Sequence, residues 1–230
     1  MMRRFHFFLC SLPALPELGG APPVELARFR EWAVEEPSLL PVVDAVLLEQ
    51  DLLWREAATA GQAARPAPLV LSEGQVSGRE PLPTSLTPPE AAPARRFPSD
   101  ATWAAYWKHV ASAGARHACP FVRRWAGFEV ALRNALARAR ARSLGLDPRE
   151  FLVSEELGDE GDPAEDEPLE DIVKAWSEAP DPLAGLRILD EARLRWTRRH
   201  SRYFSFAKDE AAAYARHLLL AHRWRRTGTG

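Results

Sequence analysis

The stretch from Phe121 to Gly145, FVRRWAGFEVALRNALARARARSLG, constrains the fold more than any other. Phe121, Trp125, Phe128, Leu132, Leu136 and Ala139 recur at steps of three and four, which draws one apolar stripe along a helix. Pro120 stands at its start, where a missing N–H costs nothing, and Gly145 follows the last periodic turn as a stop. Arg123, Arg124, Arg138 and Arg142 lie largely off the stripe. Glu129 and Arg133, four residues apart, break the pattern at its edge, and Asn134 follows. They read either as an ordinary i,i+4 ion pair worth roughly a few tenths of a kcal/mol, or as a polar seam facing another helix or another subunit.

Other segments supply helices for this one to pack against. Pro22 and Pro23 open a helix through Val34, with Leu26, Phe29, Ala33 and Trp32 on its apolar side. A second runs from Pro37 to about Gly61. Its Leu39, Val42, Val43, Val46, Leu47 and Leu53 are apolar, while Asp44, Glu49, Gln50 and Asp51 are expected to face elsewhere. These two suggest a hairpin. Ser99 or Asp100 caps a helix whose Trp103, Tyr106, Trp107 and Val110 form an aromatic stripe suited to packing on the 121–145 helix. A short helix follows Asp147-Pro148 and reaches Val153. Two helices close the chain. Leu183, Leu186, Leu189, Ala192 or Arg193, and Trp196 mark the buried side of the first, 182–203, where Glu191 and Arg195 repeat the acid–base spacing. In the second, 206–226, Tyr214, His217, Leu218, Ala221 and Trp224 face inward. Arg223, Arg225 and Arg226 gather where the helix dipole favours cations.

The expected fold class is therefore all-α, an antiparallel bundle of helical hairpins. The start, FHFFLCSL, reads as a short buried strand or extended segment ending at Pro13 and Pro16. Arg3 and Arg4 before the apolar run also resemble a weak secretory signal, but the run is short and contains His6. From 65 to 98 proline recurs and large apolar residues are few, which indicates a linker or long loop in which only Leu69-Val70-Leu71 can dock. The organisation expected is 1–64, the N-terminal segment and hairpin; 65–98, the linker; and 99–230, the main helical domain. The acid-rich segment 155–168 lacks the spacing of a calcium loop and reads as a solvated, mobile loop.

No sequence motif announces chemistry. There is no phosphate-binding glycine loop or nucleotide fingerprint. His117 and Cys119 have no second pair at metal spacing, and Cys10 and Cys119 form no disulfide framework. The net charge of -2 gives no global pull toward nucleic acid, and no run is long enough to span a bilayer. We therefore expect no catalytic group, cofactor or metal, and no nucleic-acid partner. Eight tryptophans are many for 230 residues and invite an interface reading.

The order of motifs has a precedent. An aromatic segment running into S-L-P (Phe7 to Pro13) precedes helical hairpins and an aromatic helix (Trp103, Tyr106, Trp107). Then come R-x-W-x-x-F-E-x-x-L-R-N (Arg123 to Asn134) and a near-terminal A-Y-x-x-x-L-x-x-x-x-R-W (Ala213 to Trp224). This order resembles an uncharacterised bacterial family encoded in operons for V/A-type rotary ATPases. Glu129, Asn134, Arg138, Arg142 and Gly145 also look like the helical layers of the rotary ATPase C subunit (d in eukaryotes), though this chain is shorter. The resemblance implies a non-catalytic, C-like component of an ion-transporting ATPase, cytoplasmic and peripheral to the inner membrane. Such a component couples the central stalk to the membrane rotor ring. The interface or seam candidates are Trp125, Glu129, Arg133, Asn134, Arg138, Arg142, Glu191, Arg195, Trp196, Arg223 and Trp224. The rival expectations are an assembly or regulatory factor for the same machine, a hydrolase with an unrecognised site, and a nucleic-acid-binding adaptor.

Overall fold

A computed structural model describes residues 2–62, 67–88, 96–158 and 168–227. The protein is all-α, and no strand occurs among the described residues. Its helices are α1 (Met2–Ser11), α2 (Leu26–Val34), α3 (Leu40–Thr59), α4 (Glu73–Val76), α5 (Pro98–Arg116), α6 (Pro120–Ser143), α7 (Glu155–Gly158), α8 (Leu169–Ser177), α9 (Pro182–His200) and α10 (Lys208–Thr227), with short 3-10 turns at Thr84–Leu86 and Pro148–Glu150. The chain forms two compact units, neither of them a continuous stretch. One comprises Met1–Leu82, Ala113–Val122 and His200–Gly230; the other comprises Pro83–Ser112 and Arg123–Arg199. This division differs from the successive segments 1–64, 65–98 and 99–230.

The first unit is built around α3, which packs against α2, α4 and α10. Val42, Val43, Val46, Leu47 and Leu52 of α3 are buried, and so are Glu49, Gln50 and Asp51. A helix covered on nearly all sides belongs to a core, and its polar residues then need partners inside it. These three therefore do not face away, as the sequence suggests. Asp44, also assigned to the outside, holds Arg30 of α2 through two bonds of 2.7 and 2.9 Å, which ties the expected hairpin together. The segment Leu69-Val70-Leu71 docks as expected. Its backbone N–H groups donate to the Asp51 carboxylate at 2.9, 2.7 and 2.8 Å.

The N-terminal residues are a correction. Met2–Ser11 is a helix rather than a strand or extended segment. No strand among the described residues offers a ladder, and a helix satisfies its own backbone. Phe8 and Leu9 are buried, with the Phe8 ring 6.2 Å from that of Phe29.

In the second unit α6 is the common surface. Trp107 of α5 meets Trp125 edge-on at 5.3 Å, and Trp196 of α9 stacks on Phe128 at 4.9 Å. The Arg140 guanidinium of α6 lies 4.8 Å from the Trp176 ring of α8. Gly145 closes α6 with φ +67, while the Leu146 N–H reaches Ala141 O (2.9 Å) and the Gly145 N–H reaches Arg142 O (3.2 Å). That is a Schellman cap, and it needs a residue tolerant of positive φ. Gly127 has a different task. A Cβ there would lie 2.9 Å from Leu157 O, so the glycine lets the α7 segment approach α6.

Two readings along the chain need adjusting, and a third falls mostly outside the described residues. Helix α8 has Leu169, Ile172, Val173 and Trp176 at helical spacing yet stands unpredicted between the acidic stretch and α9. Leu183, expected on the buried side of α9, is 53% exposed. Most of the acidic segment, 159–167, lies outside the described residues. Glu155 and Glu156 before it pair with Arg138 and Lys108 at 2.9 Å.

The burial pattern makes a chemical prediction. Cys10 is exposed, whereas Cys119 is buried and donates its thiol to Asp209 at 3.1 Å. Burial, reinforced by that carboxylate, pushes the Cys119 thiol well above its ordinary value, and thiolate is the reactive form. A disulfide reagent at neutral pH is expected to titrate Cys10 in the native protein and Cys119 only on unfolding in denaturant. Prompt reaction of both thiols in the native state contradicts the placement of Cys119.

Candidate functional site

The polar residues singled out by sequence fall into two clusters, one in each unit. In the second unit Glu129 is buried, and its carboxylate accepts from Arg193 Nε at 3.1 and 3.0 Å and from Trp125 Nε1 at 3.3 Å. Arg193 also donates to buried Asp190 at 3.0 Å. One guanidinium of α9 is thus shared between carboxylates on α6 and α9. Arg133 turns instead to Asp100 of α5. Of the two readings of Glu129 and Arg133, these bonds run to two other helices, as in the polar seam, rather than between the two residues. Each bond joins segments distant in sequence, and the acids are more buried than a surface pair permits.

Asn134 is buried and does the work of a short strand. Its Nδ2 donates to Val153 O at 2.9 Å, and its Oδ1 accepts from Val153 N at 3.0 Å. The side chain satisfies both polar groups of a buried backbone unit that has no ladder partner.

The remaining candidates divide by exposure. Trp125 and Trp196 are buried in aromatic contacts within the second unit. Glu191 accepts at 2.9 Å from Arg187, which lies one turn before it in α9. Arg138 reaches Glu155, Arg195 and Arg142 are exposed, and Trp224 is half-buried.

In the first unit the centre is Arg216 of α10, whose side chain is 0% exposed. It donates to Glu49 Oε2 of α3, and Arg223 approaches Oε1 of the same carboxylate at 3.4 Å. Arg226 donates to Gln50 Oε1 at 2.7 Å, and Arg225 to Glu25 Oε1 at 3.0 Å. The C-terminal arginines therefore reach across to α3 and the start of α2, beyond any interaction with their own dipole. Sequence reasoning missed Arg216. The signal was present: it stands at helical spacing from Ala212, Ala213, Leu219 and Leu220, all buried, so an arginine occupies an apolar face.

The loop after α1 is fixed by α10. Tyr214 OH donates to Pro13 O at 2.9 Å, His217 Nε2 lies 2.9 Å from Pro16 O, and His222 Nε2 lies 2.8 Å from Val24 O. Asp209 at the head of α10 is buried and accepts from Phe121 N at 3.1 Å, an acid placed at the N-terminus of α6. Burial raises the Asp51 carboxyl above its usual range, and the three backbone N–H bonds oppose that rise.

These groups are engaged in holding the fold. Among the described residues no group of His, Cys, Asp and Glu is arranged to hold a metal ion, and no helix is long and apolar enough to cross a membrane. A cleft of about 210 Å³, open solvent included, is lined by Phe128, Ile172, Ala192, Trp196 and Arg199. Its lining contains neither a nucleophile nor a histidine. No family model, curated protein or solved structure matches the chain. The charges of the two clusters join helices to one another within each unit.

Two outcomes follow. Asn134→Ala leaves two buried backbone groups without partners and is expected to lower unfolding free energy by about 2–4 kcal/mol, whereas exposed Arg142→Ala stays within about 0.5 kcal/mol. Urea denaturation of both variants checks this, and equal stability of the two contradicts the assigned roles. The second outcome concerns alkaline pH. Burial lifts the Tyr214 phenol to about 12, above its ordinary value of 10.0. The folded state thus holds this proton more tightly. The associated stability is fully present below pH 10 and is lost as pH rises toward 12. Tyr214→Phe is expected to flatten that part of the stability profile.

Proposed function

We propose that this chain is a non-catalytic component of a V/A-type rotary ATPase, a helical body that works by transmitting force or position between neighbours. The observation that carries the reading is the position of the residues in which the resemblance resides. The S-L-P turn after α1 meets the A-Y of α10 through Tyr214 and Pro13. The E-x-x-L-R-N of α6 supplies Glu129, Arg133 and Asn134, each bonded to another segment of the second unit. Residues of the motif are thus among those that brace each unit. A coupling element needs such internal bracing and no reactive group.

On this reading Glu129, Asn134, Trp125 and Trp196 act inside the body, and the contacts to the rotor ring and the central stalk come from outer residues such as Arg142. Charges of that kind set register and orientation between subunits more than raw affinity.

The test is quantitative mass spectrometry of the native membrane ATPase, solubilised and purified through another subunit. Recovery in step with the central-stalk subunits is expected. Recovery only at trace levels during assembly replaces this reading with an assembly factor. Absence while the stalk remains intact overturns both.

A further inference from the structure

The first unit carries an aromatic surface that none of the bracing above uses. Phe204 is 86% exposed, Phe7 76% and Tyr203 56%. Phe7 lies on α1, while Tyr203 and Phe204 lie in the loop before α10. The structure brings these two segments together, with the His6 ring 4.8 Å from that of Phe206. Single exposed apolar side chains are ordinary, but three large exposed aromatic ones on two segments in contact are grounds for an interaction surface.

The backbone of the loop is unusual as well. Arg202, Phe204 and Phe206 have φ of +47, +62 and +49. Non-glycine residues rarely adopt this region, least of all bulky ones, and such conformations concentrate where function requires them. The loop is held by Ser205 N–H to Arg202 O at 3.1 Å and by Phe206 N–H to the Glu210 carboxylate at 3.3 Å. It therefore presents Phe204 outward from an ordered turn.

The charge pattern points to the partner. Residues 2–12, MRRFHFFLCSL, and 200–208, HSRYFSFAK, contain no acid. Arg3, Arg4, Arg202 and Lys208 give them positive charge, and the Arg202 side chain is 68% exposed. Two acids follow at once, Asp209 and Glu210. Asp209 is buried, takes the Phe121 N–H and the Cys119 thiol and lies 3.9 Å from the Arg202 guanidinium, while Glu210 takes the Phe206 N–H, so the excess positive charge of the two segments resides in Arg3 and Arg4 of α1. Aromatic rings beside cations suit the headgroup region of an anionic bilayer, where the rings sit at the boundary and the cations meet phosphates. Nucleic acid fits less well, because its affinity is dominated by many phosphate contacts and this chain carries a net charge of -2.

We propose that the face formed by α1 and the 202–206 loop docks on the surface of an anionic lipid bilayer, with Phe7 and Phe204 entering the interface and Arg202 meeting lipid phosphates. This proposal does not depend on the rotary ATPase reading and is tested on the purified chain alone. The probes are sedimented vesicles of phosphatidylcholine, with and without phosphatidylglycerol. Binding to the anionic vesicles is expected to exceed binding to the neutral ones and to weaken as salt rises. The pair Phe7→Ser and Phe204→Ser is expected to weaken binding about tenfold or more, since both rings lose interfacial burial. Arg202→Glu alone is expected to weaken it several-fold. Because these side chains are exposed, melting temperature stays near that of the parent chain, and the single Phe204→Ser variant serves if the pair does not fold. Failure of the parent chain to bind anionic vesicles overturns the proposal. So does unchanged binding of the folded variants, or loss in those variants of self-association or RNA retention while vesicles are ignored.

Discussion

Everything in the first unit depends on the neutralisation of one charge. Arg216 cannot be deprotonated under ordinary conditions, and its side chain is 0% exposed. An unpaired guanidinium in that position would cost several kcal/mol, so α10 can occupy its place only with Glu49 of α3 facing it. That requirement selects the mutual register of the two helices. Arg223 and Arg226 then fall on Glu49 and Gln50 along the same line. A buried pair of this kind adds little net stability over an apolar equivalent, but a helix shifted by one residue would strand the charge.

The same logic recurs with backbone groups. Asp51 takes three successive N–H groups of the 69–71 segment, Asp209 takes the first N–H of α6 within the first unit, and Asn134 pairs with both polar groups of Val153 within the second. In each case a polar side chain on a helix satisfies backbone groups that have no partner in a ladder or within a helix, the first N–H of α6 included. An all-α protein with long irregular connections must solve this problem repeatedly, because buried backbone without partners is destabilising.

Much of the helical frame was legible because period and punctuation are local. Pro120 and Gly145 bound α6 within two residues, and the apolar stripe from Phe121 to Leu136 is buried at Phe121, Trp125, Phe128, Leu132 and Leu136. The docking of Leu69-Val70-Leu71 was legible from a patch of apolar residues in a proline-rich stretch. The polar partners were not. Glu129 and Arg133 stand at the spacing of a local pair, and nothing local says that Arg193 and Asp100 lie closer. Glu49, Gln50 and Asp51 look like an outer face until α10 and the 69–71 segment cover them. The first helix misled for a related reason: a short apolar run reads alike as strand or helix, and the absence of a neighbouring strand decides it.

Buried ion pairs such as Glu49–Arg216 and Glu129–Arg193 fix the register of helices within each unit. The central claim is that Glu49 and Arg216 act as one unit. A double-mutant cycle on urea unfolding free energy tests it most directly. Glu49→Met and Arg216→Met are each expected to cost about 3–5 kcal/mol, while the double variant recovers most of that loss, with a coupling of at least about 2 kcal/mol. Additive losses within about 0.5 kcal/mol would contradict the account, because independent residues cannot set the register of α3 and α10.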